Sequence, residues 1–370
     1  MTCIQNQPED FATTALAGFS SIYARHVRPV RSGVVRSTAT PEGKVAVVVG
    51  GGSGHYPAFA GFVGPGLADA AVAGDVFASP SAHGVAHVCR MAHRGGGILL
   101  GFGNYAGDVM NFGLAGERLT SEGIDVRILH VTDDVASAPA DQPAKRRGVA
   151  GDLSVFKIVG AAAEAGLDLD QVERIARKAN ARTVSFGVAF SGCTLPGASE
   201  PLFTVPKGRM GVGLGIHGEP GISEEDVLPA KALAERLVTK LLTEKPAQFC
   251  GRVAVVLNGL GCTKYEELFV LWVGIEAALK QAGLTLVQPE VGEATLRPRR
   301  HVADQGAPRG RPERAGARRR EREGGGRAPR AAAPRTRGAA HRRGDAPALL
   351  PGDGALRQGA AGPERRADPA

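Results

Sequence analysis

Val45 to Pro57 reads VAVVVGGGSGHYP, and the reading of the fold starts there. Five apolar residues, Val45 to Val49, run into Gly50, Gly51 and Gly52, followed by Ser53, Gly54, His55 and Tyr56. A β-branched run of this kind reads as a buried strand of a parallel sheet covered on both faces. The glycines permit a tight turn and let the backbone approach a ligand. In an open α/β sheet the ligand crevice lies at the carboxyl ends of the strands. Ser53 and His55 are therefore expected at the rim of a pocket.

Two similar stretches follow. Ile98 to Asp108 reads ILLGFGNYAGD, and Met210 to Gly221 reads MGVGLGIHGEPG. Each is an apolar segment running into a glycine-rich loop that carries an ionisable group, Asp108 in the first and His217 in the second. A further stretch, Val253 to Gly261 (VAVVLNGLG), delivers only Asn258. Helical spacing marks Thr13 to His26, a helix starting near His83, Leu153 to Ala165, and Gln171 to Ala179 with Asp170 as its cap. Thr263 and Glu266 have capping-box spacing and open a helix with Leu268, Leu271, Trp272, Ile275 and Leu279 on one side. Strands are expected at Lys44–Val49, Ile98–Leu100, Val126–Val131, Thr183–Phe190, Val253–Leu257 and from Thr285. The loop Ser137 to Gly148, with Lys145, Arg146 and Arg147, reads as exposed. Repeated strand, loop and helix predict an α/β fold of two subdomains, residues 1–182 and 183–293, with largely parallel or mixed sheets. The second subdomain reads as incomplete at its C-terminal end.

Composition narrows the function. The 370 residues are 43% hydrophobic, with 52 Gly, enough for a large core and a loop-rich α/β architecture. The odd number of Cys, 5, without a CxxC pair, favours a reducing compartment over a disulfide framework. No signal-peptide pattern opens the chain, and no apolar run approaches the roughly 20 residues that span a bilayer. A cytoplasmic protein with no membrane partner is expected. His83 and His87 share a helical face but have no third ligand beside them in an obvious motif, and Asp133-Asp134 reads as a turn cap, so no metal is assigned.

The net charge of +8 is a property of the C-terminal stretch. Ala294 to Ala370 holds 19 Arg, no Lys and 8 acidic residues, which leaves 26 basic and 29 acidic residues in the first 293. A nucleic-acid partner is therefore not read from overall charge. The stretch 294–370 lacks Phe, Trp and Tyr. It offers too little apolar surface to offset a backbone ordering cost of about 1–2 kcal/mol per residue, which predicts a disordered tail. Its Arg, Ala, Gly and Pro are the residues of GC-only codon families, the pattern of GC-rich DNA read in a shifted frame.

Taken together, GGGSGHYP, GNYAGDVMNF, GVGLGIHGEPG, RRGVAGD (Arg146 to Asp152) and VVLNGLGCT (Val255 to Thr263) resemble the K domain of dihydroxyacetone kinases over roughly Phe11 to Glu293. The resemblance implies a domain that binds a short-chain ketose. It also implies a separate helical L domain or subunit that carries ATP and Mg2+, and a homodimer. His217 would hold the ketose carbonyl as a covalent hemiaminal. Asp108 would accept the proton of the terminal hydroxyl during phosphoryl transfer, and His55 would hydrogen-bond the substrate and share the proton work. Gly52, Ser53 and Gly54 would line the pocket.

Two departures bear on specificity. Tyr56 stands where dihydroxyacetone-specific members usually have Glu, and Gly103 where they usually have a substrate-contacting Lys. Loss of the long side chain enlarges the pocket, and the pair resembles the branch that acts on erythrulose. The chain has no Asp-x-Asp-x-Asp run for magnesium phosphate, so the resemblance implies a kinase that needs its donor domain. The alternatives are a non-catalytic ketose-sensing regulator, which would have no need of Asp108, and a nucleotide-binding loop at Gly50–Gly54, against which the lack of GxxxxGK[ST] counts.

Overall fold

The computed structural model describes residues 4–246, 248–261 and 263–293. The tail expected at 294–370 lies outside the described residues.

Helix α1 (Phe11–Ile22) is followed by the hairpin β1 (Val27–Val30) and β2 (Gly33–Arg36). The valine run forms β3 (Ala46–Ser53), and the Ala-rich segment forms β4 (Ala70–Val76). Helix α2 (Ala82–Ala92) is capped by Ser81, whose hydroxyl accepts from the Gly84 N–H at 3.2 Å. Then come β5 (Ile98–Gly103), α3 (Ala106–Ser121) and β6 (Val126–Val131). These strands make one sheet in the order β1-β2-β4-β3-β5-β6. β4, β3, β5 and β6 run parallel, and β2 is antiparallel to both its neighbours.

The period-two geometry of a strand sorts β3 between two cores. Val47 and Val49 face Val155, Phe156 and Val159 of α4 (Gly151–Glu164) and Val172 of α5 (Leu169–Asn180). Ala46 and Val48 face Val85 and Val88 of α2 and Phe112 and Leu119 of α3. Each of these valines is fully buried, which stabilises the sheet by about 1.5–3 kcal/mol per side chain. At the edge of this core, buried Asp69 accepts from Arg36 (2.9 Å), Lys44 (2.6 Å) and the Val47 N–H (2.9 Å).

The remainder of the described chain is more fragmented. β7 (Val188–Ala189), β8 (Arg209–Val212) and β9 (Ser223–Asp226) form an antiparallel sheet backed by α6 (Ala230–Leu242). β10 (Arg252–Val253), β11 (Val256–Asn258), α7 (Tyr265–Gln281), β12 (Thr285–Leu286) and β13 (Glu290–Gly292) follow. β10 pairs with β12 and β11 with β13, both parallel. Ala234 and Val238 of α6 pack on Ile275 and Leu279 of α7.

Four local expectations are corrected. The strand expected over Thr183–Phe190 is confined to Val188–Ala189, because Thr183 is spent closing α5, its hydroxyl donating to Ala179 O at 2.9 Å. The cap of α5 is Asp168, which accepts from the Gln171 N–H at 2.8 Å, while Asp170 pairs with Arg127 at 2.9 Å. α7 begins one residue later than expected, with the Glu267 carboxylate accepting from the Lys264 N–H at 2.9 Å. Arg146 and Arg147 are buried at 4% and 9% exposure, because Glu244 and Asp134 neutralise them inside the structure.

Candidate active site

Three loops converge, one from each of the glycine-rich stretches. The first leaves β3 through Gly54, which has φ +95°, in the left-handed region that favours glycine. A Cβ at Gly54 would stand 2.9 Å from the Phe77 ring, so glycine also makes room for that ring. Phe77 in turn stacks on the His55 imidazole, with ring centres 4.7 Å apart and an interplanar angle of 18°. The Ser53 hydroxyl donates to Gly74 O at 2.7 Å and ties the end of β3 to β4.

The second loop leads from Gly103 at the end of β5 into α3, and places Asp108 in the first turn of that helix at 9% exposure. A Cβ at Gly103 would lie 3.2 Å from Gly148 O and 3.3 Å from the Tyr105 ring, so larger residues fit only if this corner opens. The third loop is the long hairpin connection between β8 and β9. It closes with the Ile222 N–H donating to Val212 O at 2.8 Å and carries His217 in a turn where the Gly218 N–H donates to Gly215 O at 3.0 Å.

The structure thus brings His55, Gly52, Gly54, Gly103, Asp108 and His217 to the wall of one cavity of about 2040 Å³. The Ser53 side chain faces the β4 carbonyl instead. The His217 Nε2 atom lies 2.9 Å from the His55 Nε2 atom. The rings of Phe77 and Tyr105 meet the His217 ring edge-on, at 5.1 and 4.9 Å. Away from this polar end the cavity is lined by apolar side chains such as Leu237 and Val238 of α6, Leu257 of β11 and Leu271 of α7.

The electrostatics are those of a partly dry site. Burial, helped by the nearby His217, pushes the His55 imidazole down to about 4, against a smaller opposing pull from Glu219. His55 is therefore neutral at physiological pH. Burial raises the Asp108 carboxyl above the ordinary carboxylate value, opposed by the Ser79 hydroxyl and by His217. Among the described residues Asp108 Oδ1 has no hydrogen-bond partner, which leaves it open to accept. Asp152, buried beside Asp133 and Asp108, is pushed well above the usual range, first by desolvation and then by those two charges.

Four residues of the site escaped the reading of the sequence. Phe77 is a single aromatic that nothing in the sequence marks, and Tyr105 lies inside the GNYAGDVMNF motif but without a signal that its ring meets His217. Glu219 sits two residues after His217, a spacing that lets a turn bring its carboxylate back to the ring, and that proximity was the available signal. Arg147 was hidden by its basic neighbours. Among the described residues no three His, Cys, Asp or Glu side chains are grouped to hold a metal ion. Asp133 and Asp134 are structural: Asp133 accepts from the Val149 and Gly151 N–H groups at 2.9 and 2.8 Å, and Asp134 from Arg147 Nε at 2.9 Å.

Comparisons with known proteins identify the family of the chain. A model of the Dak1 domain matches residues 17–296. The chain is 58% identical over 297 residues to the L-erythrulose 1-kinase of Mycolicibacterium smegmatis, covering 79% of this chain and 52% of that protein. It is 60% identical over 297 residues to the L-erythrulose kinase of Pectobacterium atrosepticum, covering 79% and 50%. It therefore spans about half the length of these curated relatives. A dihydroxyacetone-binding subunit of a PTS-dependent dihydroxyacetone kinase of Listeria innocua is 40% identical and is covered over 84% of its length, with 75% of this chain. Among solved structures, the dihydroxyacetone kinase of C. freundii superposes with a TM-score of 0.72 at 36% identity, covering 79% of this chain and 54% of that one. A dihydroxyacetone kinase operon co-activator superposes with a TM-score of 0.70 at 31% identity, covering 76% and 87%. From the three convergent loops and the extent of these matches, the chain belongs to the Dak1 domain family.

Proposed function

We propose that the chain is the substrate-binding part of a ketose kinase whose natural substrate is a four-carbon ketose such as erythrulose. The observation that carries this reading is the pair of facing imidazoles at 2.9 Å, with a partner-poor carboxylate, Asp108, on the same cavity wall. The His217 Nε2 lone pair adds to the ketose carbonyl carbon, and the carbonyl π pair moves to oxygen, which gains a proton. The bond selects carbonyl compounds over polyols and fixes the substrate in place. The terminal hydroxyl then gives its proton to Asp108, whose raised pKa makes it a better base than an exposed carboxylate. His55, kept neutral, hydrogen-bonds the substrate oxygens once the ketose separates it from His217.

The phosphoryl donor is assigned to a partner domain or subunit that brings ATP and Mg2+. A solved relative at 36% identity, the dihydroxyacetone kinase of C. freundii in complex with AMP-PNP and Mg2+, supports ATP and Mg2+ as the donor. The four-carbon preference rests on Gly103 and Tyr56 and on the erythrulose kinases among the relatives. We place the protein in the cytoplasm as a homodimer; among the described residues no helix is long and apolar enough to cross a membrane.

The test is a titration of the full chain with erythrulose, dihydroxyacetone and glycerol, followed by 13C NMR with ketose labelled at the carbonyl carbon. The expected result is a shifted, adduct-type carbon signal with both ketoses, tighter binding of erythrulose and no binding of glycerol. Glycerol binding equal to that of the ketoses, or the absence of any adduct signal, would refute the reading. Ketose binding without phosphoester formation, when ATP, Mg2+ and a donor subunit are supplied, would favour the regulatory alternative.

A further inference from the structure

The His217 ring has two nitrogens, and the hydrogen bond made by one determines what the other can do. Nε2 faces the cavity and His55. Nδ1 lies 3.0 Å from Glu219 Oε1, and the His217 backbone N–H donates to Glu219 Oε2 at 3.1 Å. Burial of Glu219 raises its carboxyl, but the bonds from His217 and from the turn backbone outweigh this and bring it down to about 2. The group is a carboxylate at neutral pH, so it can only accept. A carboxylate that accepts from Nδ1 requires a proton there and leaves the lone pair of a neutral ring on Nε2.

Glu219 is itself held. Arg147 Nη1 stands 3.9 Å from Glu219 Oε2. The same guanidinium is anchored to Asp134 at 2.7 Å through Nη2 and donates to Gly213 O at 3.1 Å, at the base of the hairpin connection that carries His217. Gly215 gives independent evidence that the arrangement depends on space. A Cβ there would stand 2.0 Å from Glu219 Oε2 and 2.4 Å from Arg147 Nη1. Any side chain at this point of the turn would push one of the two charged groups aside.

We propose that Glu219, clamped by Arg147 across Gly215, is a positioning residue that locks His217 in its Nδ1–H tautomer and balances the positive charge the ring gains on bonding to a ketose. This rests on the hemiaminal reading above. In that step the Nε2 lone pair forms the N–C bond, the carbonyl π pair moves to oxygen, and the oxygen takes up one proton from solvent hydronium, so the adduct carries one net positive charge more than the free site. The ring then carries both the N–C bond and the Nδ1 proton, is cationic, and sits against the Glu219 carboxylate. The arrangement follows the same logic as a buried carboxylate behind a catalytic histidine, which orients the ring and stabilises its cation.

The experiment compares the full-length wild type with Glu219→Ala, Glu219→Gln and Gly215→Ala, each checked for folding by circular dichroism. Histidine-labelled protein gives the ring tautomer from long-range 15N–1H spectra, and carbonyl-labelled dihydroxyacetone gives the adduct. The wild type is expected to show Nδ1–H at His217. Glu219→Ala should lose that tautomer preference and weaken the adduct about 10- to 100-fold, the effect of removing a charge-assisted hydrogen bond. Glu219→Gln can still accept from Nδ1 through its amide oxygen, so the tautomer should persist while the adduct weakens. Gly215→Ala, which leaves the chemistry of Glu219 untouched but displaces its carboxylate, should resemble Glu219→Ala. An unchanged tautomer and adduct in folded Glu219→Ala would overturn the proposal and leave the hemiaminal intact. A wild type that forms no adduct would overturn the hemiaminal itself, while the tautomer spectra would still decide whether Glu219 sets the ring.

Discussion

Protonation of His55 should make the protein less stable in mild acid, by an amount that follows from the site. The imidazole is stacked on Phe77, faces His217 at 2.9 Å and is held at about 4, against an ordinary value of 6.5. Between those two values the unfolded chain binds a proton at this residue and the native state does not. Stability therefore rises with pH through this window and falls as pH drops from 6.5 towards 4. A pKa gap of this size makes His55 cost roughly 2 kcal/mol between pH 7.5 and pH 4.5, allowing for its interaction with His217. The perturbation is His55→Gln, which keeps a hydrogen-bonding side chain and removes the titration. Urea unfolding of wild type and variant at pH 7.5 and 4.5 gives four free energies. The loss on going to pH 4.5 should be smaller in the variant by roughly 2 kcal/mol. Equal losses in the two proteins would show that His55 titrates normally and would refute the account of a dry, neutral imidazole.

Three further outcomes are expected. Asp108→Asn should leave ketose binding within about threefold of wild type but lower phosphoryl transfer about 100-fold or more in a reaction supplied with a donor subunit, the scale of a lost general base. Asp69→Ala removes the shared acceptor of Arg36, Lys44 and the Val47 N–H and should cost about 3 kcal/mol in chemical denaturation, the low end for breaking a buried ion pair, because Glu164 still pairs with Arg36 at 2.8 Å and stands 3.5 Å from Lys44. Gly103→Ala, whose added methyl would press on Gly148 O and the Tyr105 ring, should weaken erythrulose binding more than dihydroxyacetone binding in calorimetric titrations.

Much of this was written in the sequence at the level of single strands. The run Val45–Val49 and its glycines placed β3 and its loop because β-branched residues buried on both faces leave little other reading. Val126–Val131 matches β6 at both ends. His55, Asp108 and His217 were each legible as side chains at strand ends, and they share one cavity. What could not be read is what depends on distant partners. Arg147 looked like one basic residue among three in a loop, and only Asp134 and Gly213, brought near by folding, make it interior. Phe77 holds His55 through a stack between residues at the ends of different strands, for which no local spacing exists. The hairpin of β1 and β2 was likewise invisible until its packing face was known.

His55 and His217 are separated by 162 positions in the chain, and one leaves the large mixed sheet while the other tips a hairpin connection of a separate antiparallel sheet. Under the proposed chemistry, a covalent ketose would bridge neither sheet by itself, yet would find the right neighbours only when both are seated. Carbonyl binding is then a reporter of assembly. Any change that loosens the seating, however far from the cavity, should lower adduct yield before it melts either sheet. Conversely, saturating ketose should raise the melting temperature by mass action, since it binds only the assembled state. Such a site senses the integrity of its own scaffold as well as its substrate.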